Sequence, residues 1–260
     1  MQPFRIVTFN IAHGRGLSPY QGLHPPTTIR RNLRKIALLL GRLQPDVVAL
    51  QEVDFGQVRP ALYDQAAIIA ESLNFQDVWI ERERCGNAIL SRYPMKMIKA
   101  GGLHRPRRWH SLARRGALWV EIEFSGTRIQ IINTHLGLTP GTRLNQARVL
   151  VGPEWLGSLD CRHPVILCGD FNTQSGSTVF KLLEESLRNV EMSKLNGQSE
   201  KTWPSSHPLL SIDHMFISGD ISVEEVQVPA DGLVRTASDH LPFFVQLGLP
   251  DITSAISGTN

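Results

Sequence analysis

The chain has 260 residues, 42% of them hydrophobic, and a formal net charge of +3. This supports a sizeable core in one large or two small domains and excludes a disordered or fibrous chain. The mild positive charge fits an anionic substrate without requiring one, and no run approaches the roughly 18 apolar residues of a membrane span.

Taken in chain order, FRIVTF (4–9) is a β-rich segment. Residues 27–43 read as an amphipathic helix: Ile29, Leu33, Ile36, Leu40 and Leu43 recur at helical spacing behind capping threonines. PDVVALQEV (45–53) is a short buried strand, and 61–75 a second helix. NAILS (87–91), ALWVEIEF (117–124) and RIQIINTHL (128–136) are strands, the last two joined by a Ser125-Gly126-Thr127 hairpin turn. Residues 142–159 are a helix kinked or broken at Pro153. PVILCGD (164–170) is a strand and 177–187 a helix opened by Ser177. Strands follow at 211–218, 221–228 and 241–249, and the small polar residues 251–260 form a flexible tail.

Helices and strands mix without a strict βαβα rhythm, and hairpins recur, which favours a mixed or antiparallel α/β arrangement. Without repeats or a linker, residues 1–250 are expected to form one catalytic domain, active as a monomer. Cys85, Cys161 and Cys168 contain no CxxC pair, which points to a reducing compartment. The N-terminal residues lack an apolar signal region, so a cytoplasmic location is expected.

Polar residues recur where these apolar strands end. Asn10 follows IVTF, Glu52 follows VVALQ, and Asn133 and His135 close IQII. Asp170 and Asn172 follow VILCG, Asp213 and His214 sit within SIDHMFI, and Asp239 and His240 precede LPFFVQL. Such groups must be paired, metal-bound or solvated in a cleft. Glu52, Asp170 and Asp239 with Asn10 and Asn172 make a hard oxygen-donor set suited to Mg2+ or Mn2+. A carboxylate holding a histidine fixes its tautomer and raises its basicity, so the pair can activate water. Together these describe metal-assisted hydrolysis of a phosphate ester. In the VILCGDFN stretch, Gly169 ends the strand. Asp170 and Asn172, two apart in extended backbone, then project to one side with Phe171 on the other.

The motifs TFNI, LQEV, GNAILSRYP, NTHL, GDFN, SIDHMF and SDHLP occur in the order found in the endonuclease/exonuclease/phosphatase superfamily, which the chain resembles from Arg5 to about Leu247. DNase I-like nucleases, abasic-site endonucleases, neutral sphingomyelinases and inositol polyphosphate 5-phosphatases belong to it. The resemblance implies a DNase I-like four-layer sandwich, two packed mixed β-sheets flanked by helices, with the site at one edge. It implies that Glu52 is the principal metal ligand, with Asn10 and Asp239 binding the ion directly or through water. His240 matches the general base or phosphate contact and Asp213 its carboxylate partner. Asp170 matches the residue that orients or deprotonates water, Asn172 the amide holding phosphate or water, and His135 a second phosphate contact. Asn87 lies where a polar residue supports that contact, and Arg114 or Arg115 where nucleases of the family carry a phosphate-binding arginine.

The expected activity is Mg2+-dependent (or Mn2+-dependent) hydrolysis of a phosphodiester in nucleic acid or a phospholipid headgroup. A phosphomonoesterase acting on inositol phosphate or a phospholipid headgroup is the alternative. A non-catalytic binding member is disfavoured because Glu52, Asp170, Asp213 and His240 are all present. No GxxxxGK[ST] loop occurs, so no nucleotide cofactor is expected, and the histidines lack HExxH spacing for zinc. The segment 104–115 (HRPRRWHSLARR) reads equally as a polyanion-binding loop or a solvated surface loop. His13, in NIAHGRG, either lines the cleft beside Asn10 or belongs to a plain loop. His214 should point away from Asp213 and be structural.

Overall fold

The computed structural model describes residues 3–20, 24–55, 64–81, 85–103, 115–162, 164–193 and 199–250. The strands are β1 Phe4–Asn10, β2 Val47–Asp54, β3 Asp77–Ile80, β4 Cys85–Ser91, β5 Met95–Gly102 and β6 Gly116–Phe124. They continue as β7 Thr127–His135, β8 Val165–Asp170, β9 Arg188–Asn189, β10 Asp213–Ile217, β11 Ser222–Gln227 and β12 Phe243–Gly248. The helices are α1 Pro26–Leu43, α2 Gln65–Leu73, α3 Pro140–Leu150 and α4 Thr178–Glu184.

The strands form two six-stranded mixed sheets, β11-β12-β1-β2-β4-β3 and β5-β6-β7-β8-β10-β9. Each has a parallel pair near its centre, β1 with β2 and β7 with β8, and antiparallel neighbours outside it. Period-two alternation distributes the apolar residues. In β1, Phe4 and Ile6 enter the core between the sheets, with Val120, Ile131, Ile166 and Met215 from the second sheet. Val7 and Phe9 face the other way, against Leu33, Ile36 and Leu40 of α1 and Ile69 of α2. On the far face of the second sheet, Trp119, Leu167 and Phe216 pack with Leu150 of α3, Trp155, and Phe180 and Leu183 of α4. The result is the expected DNase I-like sandwich of helices, sheet, sheet and helices.

Local signals placed most elements. Ser177 caps α4 by accepting from Phe180 N, as its position suggested. The 142–159 helix is shorter than expected: α3 ends at Leu150 and turns replace it up to Pro153 and beyond. Strands β3 and β5 escaped the sequence reading because both are edge strands whose residues are mostly half-exposed, β3 being only four residues long and β5 interrupted by lysines. Cys168 is buried, and burial pushes its thiol pKa up. The expected tail 251–260 and the basic segment 104–114 lie outside the described residues.

Register then assembles the site. Asn10 lies opposite Gln51 across the β1–β2 pair, His135 opposite Asp170 across β7–β8, and Asp213 opposite Asp170 across β10–β8. The two parallel pairs therefore end together, and the loop before β12 delivers Asp239 and His240 to the same edge.

Candidate active site

Three buried groups from separate elements form the centre. His240 Nδ1 lies 2.9 Å from Asp213 Oδ2, and its Nε2 lies 3.8 Å from Asp170 Oδ2. A carboxylate accepts only, so Nδ1 carries a proton and Nε2 faces the cleft beside Asp170. Burial pulls the His240 pKa down, but the charges of Asp213 and Asp170 and the Asp213 hydrogen bond reverse this, raising it to about 10. Burial raises Asp170, opposed by His240 and reinforced by Asp213, to about 6. The environment thus separates an imidazolium from a carboxylate poised near neutrality, the pattern that divides acid from base.

Asp170 is fixed by its neighbours. Asn10 Nδ2 donates to Oδ2 at 3.0 Å, and the Asn172 backbone N–H donates to Oδ1 at 2.9 Å. His135 Nε2 lies 3.2 Å from Oδ2. Arg115 Nη1 is 2.6 Å from His135 Nδ1. A guanidinium has no acceptor, so Nδ1 holds the lone pair and the ring proton sits on Nε2, directed at Asp170 and not at the Asn172 amide nitrogen, itself a donor, 3.1 Å away. Burial, followed by the nearby charges of Arg115, His240 and His13, holds His135 well below the usual histidine range. His135 is therefore a neutral donor, in contrast to His240.

Glu52 comes from the first sheet. The β2–β4 register shifts between Leu50 and Val53, and Glu52 takes a left-handed φ of 53°. A bulge of this kind re-aims a side chain that alternation would otherwise commit to one sheet face. Arg115 Nη1 lies 3.9 Å from Glu52 Oε1, and His13 Nε2 3.5 Å from Oε2. His13 Nδ1 is 3.0 Å from Asp54 Oδ1. Asp239 accepts from Arg15 Nη2 at 2.8 Å. Of the described non-glycine residues with positive φ, Gln44 and Asn74 close helices and Ser125 lies at the hairpin turn. The others, Ala12, His13, Glu52 and Asn172, all surround this site. Strain of that sort persists only where the surroundings enforce it, and it gathers at functional sites.

Several sequence expectations need correction. Gly169 does not end the strand, which continues to Asp170. It is glycine because a Cβ there would meet Thr134 O at 1.9 Å, with φ at +145°. Asn172 does not extend the strand either. Its φ is 51°, and its amide donates to Leu136 O, so it enters the site through a turn on Asp170. Asn87 Nδ2 donates to Glu81 Oε2 and to Gly116 O, bracing β4 against β6. Of the two candidate arginines, Arg115 is in the site, and Arg114 lies outside the described residues. His13, left open between cleft and loop, lies in the cleft.

Sequence reasoning missed Arg15 and Asp54. Arg15 belongs to the glycine-rich NIAHGRG turn, in which only His13 stood out as a candidate. Asp54 lies two residues past Glu52, and that spacing within a strand was the available signal. His214 points away as expected: Nε2 donates to Thr173 O at 2.8 Å, and the ring packs against Phe171 and Phe180.

The donor set suits a hard divalent cation. Among the described residues, Glu52, Asp54, Asp170, Asp213 and Asp239 outnumber the cations paired with them, Arg15, Arg115 and the His240 imidazolium, so carboxylates are in surplus there. Asn10 Oδ1 accepts from Ala12 N and keeps a second lone pair. Asp170, Asp213 and His240 also bring ligand-type atoms within 4.8 Å of one another. There Asp213 and His240 already bond to each other, which suits proton handling better than metal ligation.

The sandwich thus carries a carboxylate–histidine pair at the edge where its two sheets end together. A model of the Endonuclease/Exonuclease/phosphatase family matches residues 7–240, and the chain belongs to that family. Among individual proteins, it is 28% identical over 166 residues to the uncharacterized protein YbhP of Escherichia coli (strain K12). That match covers 63% of this chain and 63% of YbhP, so it spans less than two thirds of that relative. The endonuclease/exonuclease/phosphatase from Bacteroides vulgatus superposes with a TM-score of 0.74 at 18% identity, covering 96% of this chain and 100% of the other. A mannosyl-6-phosphatase from Bacteroides thetaiotaomicron superposes with a TM-score of 0.71 at 17% identity, over 95% of this chain and 100% of that one. At these identities the likeness is one of fold.

Proposed function

We propose that this chain is a divalent-metal-dependent phosphodiesterase, with residues 1–250 as its catalytic domain. The observation that carries the reading is the Asp213–His240 pair facing Asp170, with His240 Nε2 3.8 Å from Asp170 Oδ2. One water can hydrogen-bond both atoms across that gap. Asp170 accepts the proton of this water as it attacks phosphorus, because its raised pKa suits a base working near neutral pH. His240, kept cationic by Asp213, binds the phosphoryl oxygens as charge builds on them. His135 Nε2–H and Asn172 orient the nucleophile and the phosphate, and Arg115 holds His135 in its donor tautomer while adding positive charge. Glu52, with Asn10 and Asp239, would hold Mg2+ or Mn2+, whose charge when bound polarises the phosphate and stabilises the leaving oxygen.

The carboxylate surplus among the described residues favours a diester over a monoester. A diester brings one negative charge, whereas a monoester brings close to two at neutral pH. Coulomb repulsion from Glu52, Asp54 and Asp239 therefore weighs more heavily on the monoester.

The test is hydrolysis of bis-p-nitrophenyl phosphate, plasmid DNA, RNA, phospholipids and inositol phosphates by protein stripped with EDTA and resupplied with Mg2+ or Mn2+. Metal-restored cleavage of diesters, reduced to a small residue in Asp170→Asn, is expected. Faster turnover of p-nitrophenyl phosphate than of its diester would overturn the diester reading. Activity unchanged by EDTA would overturn metal dependence.

A further inference from the structure

His13 sits at the centre of an arrangement that the proposed mechanism leaves unused. It occupies a run of left-handed residues, with φ of 47° at Ala12, 56° at His13 and 67° at Gly14. Two buried amides clamp that run from behind. Asn32 Nδ2, on α1, donates to Gly14 O at 2.9 Å. Gln65 Nε2, on α2, donates to His13 O at 2.9 Å, and Gln65 Oε1 accepts from Asp54 N at 3.1 Å. One glutamine therefore ties His13 and Asp54 into a single unit. Their side chains, with that of Glu52, keep about a fifth to a quarter of their surface open to the cleft.

The ring's two nitrogens have different neighbours. Nδ1 lies 3.0 Å from Asp54 Oδ1, and a carboxylate accepts only, so Nδ1 carries a proton. Nε2 lies 3.5 Å from Glu52 Oε2, where a divalent cation would displace its proton and take up the lone pair. That separation is long for a hydrogen bond. It matches two donors on one cation, which stand about 3.0–3.5 Å apart for bonds of about 2.1 Å at roughly 90–110°. A ligating histidine almost always gives its other N–H to a carboxylate or carbonyl, which sets its tautomer and orientation.

We propose that His13 Nε2 is a ligand, together with Glu52, of the divalent cation, and that Asp54 is the carboxylate that orients it. The inference rests on the reading of Glu52 as a metal carboxylate. It adds a nitrogen donor to a set otherwise made of oxygens. A nitrogen donor makes the site discriminate more strongly in favour of Mn2+ over Mg2+, because Mg2+ prefers an all-oxygen shell.

The test is titration of the metal-free full-length protein with Mn2+ and with Mg2+ by calorimetry, with pulsed electron paramagnetic resonance of bound Mn2+ to detect coupling to nitrogen. Asp54→Asn should weaken Mn2+ binding by roughly 10- to 100-fold, and His13→Ala by at least as much. His13→Ala should lose more affinity for Mn2+ than for Mg2+. It should also lose a nitrogen coupling that His240→Ala and wild type retain. Melting curves of the metal-free variants identify any that fail to fold, in which case Asp54→Asn carries the test. Unchanged Mn2+ affinity in folded His13→Ala, or equal loss for both metals with the nitrogen coupling intact, would overturn the proposal. Wild-type Mn2+ affinity in Glu52→Gln would instead overturn the placement of the metal at Glu52.

Discussion

The dipeptide Asp-His occurs twice near the site, and its two copies do opposite things. In β10, strand alternation sends Asp213 into the cleft and His214 into an aromatic box of Phe171, Phe180 and Phe216. In the loop before β12, His240 enters the cleft, while Asp239 is held by Arg15. The working pair is therefore Asp213 with His240, 27 residues apart, and neither of the adjacent pairs. Chain adjacency brings a carboxylate and an imidazole together but not face to face. A strand turns neighbours apart by construction, so a pair that shares a proton must come from two elements.

The strongest attempt to break this comparison is removal of the cross-element pair. His240→Ala should lower kcat/KM by roughly 10^3-fold or more, and Asp213→Asn by roughly 10^2- to 10^4-fold, the usual range for proton-handling groups. Steady-state assays on protein of normal circular dichroism check both. Activity within tenfold of wild type for either would dissolve the pair as a catalytic unit.

His214→Ala should behave in the contrary way. It removes a buried ring and leaves Thr173 O without its donor, a loss of about 2–4 kcal/mol in stability. The fraction that remains folded should keep kcat/KM within roughly tenfold. Urea unfolding with parallel assays separates the two, and a folded His214→Ala protein as inactive as His240→Ala would erase the distinction.

A subtler contrast lies in the pH profile. Activity needs Asp170 ionised and His240 protonated, so kcat/KM should rise as pH climbs through about 6 and fall as it approaches about 10. A bound cation lowers both limbs, because its charge disfavours a proton on either group. The limbs belong to the coupled pair, not to either residue alone. Asp170→Asn should leave residual activity without the acid limb, and an unaltered acid limb would remove Asp170 as the base.

The smallest effect concerns stability of the metal-free protein. The His135 pKa is lower folded than unfolded, so its contribution is complete above about 6.5 and is lost as pH falls below that value. The His240 pKa is raised, so its contribution is complete below about 6.5 and is lost as pH rises toward about 10. His135→Gln should flatten the acid side of a plot of melting temperature against pH, and His240→Gln the alkaline side. The reverse assignment would show that the two rings carry the opposite charge states.

Much of the fold was legible because helix and strand periodicities are local. Ile29, Leu33, Ile36 and Leu40 announce α1 without reference to the rest of the chain, and alternation announces β6 and β7. The site was legible mainly as motifs at strand ends, since a polar residue closing an apolar run is unusual anywhere. What stayed hidden was conformation that runs against local expectation. Asn172 looked like one more strand residue but sits at positive φ. Arg15 and Asp54 follow no motif reading at all.

By itself, then, the sequence determined the order of elements, the apolar faces that pack them and the residue types available at the cleft. Only the tertiary structure decided which of those residues meet. Asn10 reaches Asp170 across 160 residues and Arg15 reaches Asp239 across 224. Such contacts follow from sheet register, from the bulge that turns Glu52, and from the close approach at Gly169 that lets β7 and β8 end together. Local periodicity is set by neighbours along the chain. Proton sharing and metal ligation are set by tenths of an ångström between elements that only packing brings together.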